Sequence, residues 1–238
     1  MIATSAPREI TVQRLGGLPR LVIEDAAEMA RYFFEHDASA RPGGYDDWVA
    51  RNDRDRFERH DVEIINGPMR ARSPYEAWEP LFGRSPEWLT TLGAAWDLVD
   101  DSPEKWATNE CARLLTRAID ATSVKRVGRA MATKVLHMKR PRLVPILDSL
   151  VVEAVGGSAG EEPTPTVVLV DQLRLVATAN GASLSFIKKQ LAGLPFQPSK
   201  ARILDAILWT SHPQSSLHAH LGWPTRIAPP SARMPPEA

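Results

Sequence analysis

The 238-residue chain has one cysteine, Cys111, which excludes an intramolecular disulfide framework and a cysteine-ligated cluster and fits a reducing, cytoplasmic setting. It has no net charge, because 29 Lys and Arg balance 29 Asp and Glu. Any affinity for nucleic acid must then come from a local patch, not from the field of the whole molecule. No apolar run approaches the roughly twenty residues that a membrane span needs, and the opening "MIATSAPREI" lacks the apolar core of a signal peptide, so no membrane partner is expected. His218 and His220 form an H-x-H without further ligands, too few for a metal site, and neither a metal nor a cofactor is expected. Nothing in the composition bears on the oligomeric state.

What is present is a core. Hydrophobic residues make up 43% of the chain and include seven Trp, enough for one large domain or two small lobes. Helix starts are marked by Ser, then Pro, then an early Glu: a cap, a pre-set φ and a negative charge at the helix's positive end. The pattern occurs at "SPYEAW" from Ser73, "SPEWLTTLGAAWDLV" from Ser85 and "SPEKWATNECARLLTRAI" from Ser102. Further helices are read at "IEDAAEMARYFFEH", capped near Asp25, and at "TPTVVLVDQLRLVATAN", "SLSFIKKQLAGL" and "SKARILDAILWTS", each bounded by Gly or Pro.

The class is therefore all-α, with room for a short N-terminal β-hairpin around Gly16-Gly17. Residues 1–7 are read as a disordered N-terminus and 8–212 as one helical domain. The tail from Pro213 to Ala238 has six Pro and little apolar pattern, and is read as disordered and dispensable for stability. "GGSAGEEPTP" reads as an exposed loop.

Charge is distributed unevenly in one place. From Ala121 to Leu147 the chain has seven Lys or Arg and no acid, and Asp148 follows directly. Val127, Met131, Val135 and Met138 share a helical face, with Lys134 at its edge and Arg129, Thr133 and His137 on the polar side, where His137 is expected to be exposed. Pro141 ends that helix, and Asp148 opens the next, where a carboxylate is favoured by the helix's positive end. By itself this is an N-cap and a solvated basic face.

The stretch "VGRAMATKVL" followed by "PILDSLV" resembles the helix-hairpin-helix DNA glycosylases, including their adenine and 8-oxoguanine branches. Gly128 precedes Asp148 by twenty residues, the spacing those enzymes keep between hairpin glycine and catalytic aspartate. "ATKVLHMKRPRLVPILDS" is closer still to bacterial 8-oxoguanine-glycosylase-like proteins of unassigned substrate. The resemblance covers roughly thirty residues well and the remainder by class. It implies a helix-hairpin-helix fold and a monofunctional N-glycosylase, in which Asp148 stabilises the sugar cation while the base is held out of the stack. Lys125, Arg126, Val127, Gly128 and Arg129 would hold phosphates, with Lys139, Arg140 and Arg142 as added contacts. DNA would be the partner.

The chain departs from the pattern in three ways. Arg126 stands where the hairpin has an earlier Gly, so an Arg must enter a left-handed turn. Ala130 replaces the Schiff-base Lys of bifunctional members, leaving Lys134, one turn on, as the second catalytic candidate beside its plainer reading as a snorkelling side chain. The iron–sulfur branch is excluded by the single cysteine. Two other readings remain open: a non-catalytic nucleic-acid-binding module of the same fold, and an enzyme for a nucleoside-like small molecule. Glu58 and Asp61 are possible second acid/base groups, and Trp209 a possible pocket-mouth residue.

Overall fold

The computed structural model describes residues 9–52, 54–69, 71–123 and 126–218 and the backbone of 225–227. Two short strands, β1 (Ile10–Val12) and β2 (Leu21–Ile23), pair antiparallel with Ile10 opposite Ile23. The turn between them uses left-handed backbone at Gly16 (φ 65°) and Gly17 (φ 71°), which a side chain would disfavour. The Asn180 side chain anchors β1, accepting from Thr11 N at 2.9 Å and donating to Thr11 O at 2.8 Å.

Between β2 and a third strand near the C-terminus the chain is helical: α1 (Ala26–His36), α2 (Tyr45–Arg51), α3 (Arg59–Asn66), α4 (Glu87–Thr90), α5 (Pro103–Thr108), α6 (Cys111–Thr122), α7 (Arg129–Lys139), α8 (Ser149–Ala154), α9 (Thr166–Ala179), α10 (Gly181–Gln190) and α11 (Lys200–Ser211). The all-α class is thus correct. Two helices form the centre. Every side chain of α7 from Ala132 to Lys139 is buried, and α11 buries ten of its residues while packing against α1, α8, α9 and α10.

Local signals worked best where a cap was present. Ser102 Oγ accepts from Lys105 N at 3.2 Å and Ser199 Oγ from Arg202 N at 3.1 Å, starting α5 and α11 where the sequence placed them. The other two Ser-Pro starts yield less: two 3-10 turns after Ser73 and the single turn of α4 after Ser85. The helix expected from Ser102 breaks into α5 and α6 because Glu110 takes a left-handed conformation (φ 50°). The segment from Arg54 to Asp61 starts α3 through a capping box, with Glu58 N donating to Asp61 Oδ2 at 2.8 Å. Glu58 and Asp61 are thereby structural, not acid/base groups for Asp148.

The tail is not uniformly loose. Ser215 and Leu217 are buried, Leu217 in the main core, and Thr225–Ile227 forms β3 against β2, with Leu21 opposite Ile227. Composition missed this because a single well-placed Leu and three strand residues leave no periodic trace. The expectation of disorder for residues 1–7 lies outside the described residues, as does that for the rest of the tail. Removing 213–238 should therefore destabilise the protein by about 2–3 kcal/mol, the burial of one Leu plus one strand, lowering Tm by roughly 5–10 °C. An unchanged Tm in scanning calorimetry would restore the expectation of a dispensable tail.

Candidate functional site

The polar side of α7 determines where Asp148 goes. Thr133 and His137 stand one turn apart on it, and both bind the connecting segment that follows Pro141. Leu147 N donates to Thr133 Oγ1 at 3.0 Å, and His137 Nδ1 lies 2.6 Å from Val144 O. Because a carbonyl can only accept, His137 donates from Nδ1. The expectation that His137 is exposed fails for this reason: it is 1% exposed, and the strand of chain it holds covers it.

Strapped down in this way, the segment brings Asp148 to the start of α8. One carboxylate oxygen, Oδ1, accepts from Leu150 N at 3.2 Å, so the cap reading is correct. The other, Oδ2, lies 3.4 Å from Lys134 Nζ and faces a cavity of about 260 Å³. Asp148 is therefore both a cap and a wall of an open pocket. Lys134, mostly buried at the edge of the apolar face, shares that cavity instead of snorkelling to solvent.

The same cavity has aromatic walls, Phe33 and Trp209, whose rings meet edge-on at 6.0 Å, and Met69 and Ile146 are part of its apolar lining. Trp209 was legible as a mouth residue from its place near the end of "LDAILWTSH". Asp205, one turn before Trp209 on α11, was not. Its carboxylate pairs with Arg202 Nη1, while Arg202 Nε and Nη2 grip Asp46 at 2.9 and 3.0 Å and Nη2 also donates to Ser39 Oγ at 3.0 Å. Burial pushes the Asp205 carboxyl from the ordinary 3.8 up to about 6; Arg202 opposes that rise, and the nearby Asp148 charge adds to it. Arg202 and Asp205 interrupt the otherwise apolar, buried stretch Ala201 to Leu208 of α11, and charge at such positions was the available signal.

The basic run does not form one face. Lys139 is fully buried and pairs with Asp61 at 2.6 Å. Arg140 is also buried, donating to Leu92 O at 2.7 Å, Arg54 O at 2.6 Å and Leu89 O at 3.1 Å and pairing with Asp55 at 2.9 Å. Both are corrected from phosphate contacts to interior ties, because neither head group can reach a ligand. Val127 is a core residue, although its backbone still precedes α7. Arg142 pairs with Asp97 at 2.8 Å, and Arg129 Nη1 donates to Thr164 O at 2.6 Å. Arg126 is exposed with φ 73°, the left-handed turn expected of it, and Gly128 N-caps α7 in extended backbone. Lys125 lies outside the described residues.

Burial lowers the His137 imidazole from 6.5 to about 3. The unfolded chain then binds the extra proton first, so the stability due to neutral His137 is complete above about 6.5 and is lost as pH falls toward about 3. Urea titrations at pH 7.5 and 5 should show His137→Gln losing less stability on acidification than wild type. Parallel losses would remove His137 as the cause.

Residues 26–212 match the model of a family described as a family of unknown function (DUF6308). No curated protein and no solved structure matches the chain. Among the described residues no helix is long and apolar enough to cross a membrane.

Proposed function

We propose that this chain, which belongs to the DUF6308 family, is a monofunctional N-glycosidase that hydrolyses a base–sugar bond in the Asp148 cavity of a cytoplasmic protein. One observation carries the reading: the carboxylate that the glycosylase-like spacing singles out opens onto a cavity with aromatic walls and two further carboxyl groups, Asp37 and Asp205. A volume of about 260 Å³ suits one base with its sugar, below the usual range for drug-sized ligands.

In this reading the base stacks against Phe33 or Trp209. As the C1′–N bond breaks, positive charge grows on the sugar and negative charge on the departing nitrogen. Asp148 stabilises the first and orients water, whose oxygen bonds to C1′ as Asp148 takes its proton. Asp205, protonated over part of the neutral range, gives a proton to the leaving base. Lys134 holds Asp148 in place through their contact. The Asp46–Arg202 pair fixes Asp205 in turn.

Release of free base from nucleosides and from single- and double-stranded DNA with modified bases, followed chromatographically, tests this. In wild type the rate should fall above pH about 6 as Asp205 ionises. Asp205→Asn should lose that limb and about a hundredfold in kcat. An unaltered pH profile in the variant removes Asp205 from the reaction.

A free nucleoside is the second substrate reading, and the burial of Lys139 and Arg140 favours it by shrinking the phosphate footprint. Ionic strength separates the two. Each phosphate contact on duplex DNA adds roughly 0.9 to the slope of log affinity against log salt, whereas a nucleoside without phosphate adds none.

A further inference from the structure

A second cavity, about 210 Å³, shares Arg202 with the Asp148 cavity and no other lining residue. Arg54, Arg142, Lys188 and the His137 ring line it. Arg54 Nη1 donates to Met138 O at 2.7 Å, and no ion pair among the described residues takes up its charge. Arg142 pairs with Asp97 yet keeps 56% of its side chain exposed. Lys188 is half-buried and makes no ion pair among the described residues. Asp46 also lines the space, but both its oxygens are taken by Arg202 at 2.9 and 3.0 Å. The uncompensated charge is positive.

His137 is an independent observation. Its Nδ1 carries the proton, as the contact with Val144 O requires, and burial keeps the ring neutral. Its Nε2 is therefore a lone-pair acceptor, buried and without a hydrogen-bond partner among the described residues. An unmatched buried acceptor is costly to the fold, and the natural remedy is a bound donor.

A ligand that suits both features must offer a donor to Nε2 and negative charge to the three cations. A carboxylate or a sulfate at neutral pH supplies the second and not the first. A phosphate that keeps one proton supplies both. We propose that this cavity binds a phosphate group, its P–O–H donating to His137 Nε2 and its charged oxygens facing Lys188, Arg54 and Arg142. The volume far exceeds that of a single water, so the group fits. The source is either inorganic phosphate or a phosphate monoester.

Calorimetric titration of the full chain at neutral pH, with inorganic phosphate, sulfate and a nucleoside 5′-monophosphate as probes, tests the site. Phosphate should bind one to one and about tenfold more tightly than sulfate despite sulfate's greater charge, since sulfate leaves Nε2 unmatched. Lys188→Gln, at a half-buried position without an ion pair among the described residues, should weaken phosphate about tenfold. A nucleotide that binds as well as phosphate supports the site with a monoester as occupant, and one that binds more weakly supports it with the free ion. The His137 Nε2 resonance in ¹⁵N NMR should move with phosphate and stay in place with sulfate. Equal affinity for the two anions, indifference to Lys188→Gln, or a silent His137 resonance would mean an adventitious ion only. Each overturns the proposal, as does the absence of phosphate binding.

Discussion

Asp148→Asn is expected to leave the fold within about 1 kcal/mol of wild type and to lower base release by at least about a hundredfold to a thousandfold. The two effects separate because the two carboxylate oxygens do different things. Oδ1 accepts from Leu150 N, and an Asn side-chain oxygen can accept there equally well. Oδ2 faces Lys134 and the cavity, and the change removes its negative charge along with a partly exposed ion pair of small worth. Thermal melts of both proteins, run beside the base-release assay, decide the matter. Full activity in the variant would end the proposed mechanism, whereas lost activity with a collapsed melt would show the cap to be the larger role.

Lys139→Met is expected to cost about 3–5 kcal/mol of stability, and roughly 10 °C or more in Tm, without dependence on salt. Lys139 Nζ lies 2.6 Å from Asp61 with both side chains fully buried, and Asp61 also accepts from Trp48 Nε1 at 2.9 Å. Met fills the volume of the Lys stem, so the loss comes from the Asp61 carboxyl group left behind, buried and short of its partner. The lost ion pair joins α7 to α3, two helices that the chain separates by some seventy residues. This result distinguishes the two roles considered for Lys139. A phosphate contact would lower nucleic-acid affinity and leave the melt unchanged, and that outcome would reverse the correction.

The two variants mark the boundary between what the chain order reveals and what it conceals. Asp148 was legible as a helix cap because that depends on local matters: a proline break before it and the first turn of the helix it opens. Trp209 was legible for a similar reason, standing near the end of a well-capped helix. Asp205 was not, because its raised pKa comes from burial and from the charge of Asp148, which lies at the start of another helix. The basic run misled for the complementary reason. Seven like charges in twenty-seven residues suggest a shared face, yet their acids come from elsewhere in the chain, Asp61, Asp55 and Asp97 among them.

By itself the sequence determined the all-helical class, the capped starts of α5 and α11 and the placing of Asp148 at a helix start. Each follows from backbone preferences and hydrogen bonds spanning a few residues, which any copy of the segment would carry. Tertiary structure alone decided that α7 is buried on every side from Ala132 on, that Lys139 and Arg140 are interior ties, that Asp205 and Asp148 line one cavity and that β3 joins the hairpin. Burial and charge pairing belong to surfaces that meet only when distant segments pack, and a titratable group's environment is made by those partners and not by its neighbours in sequence.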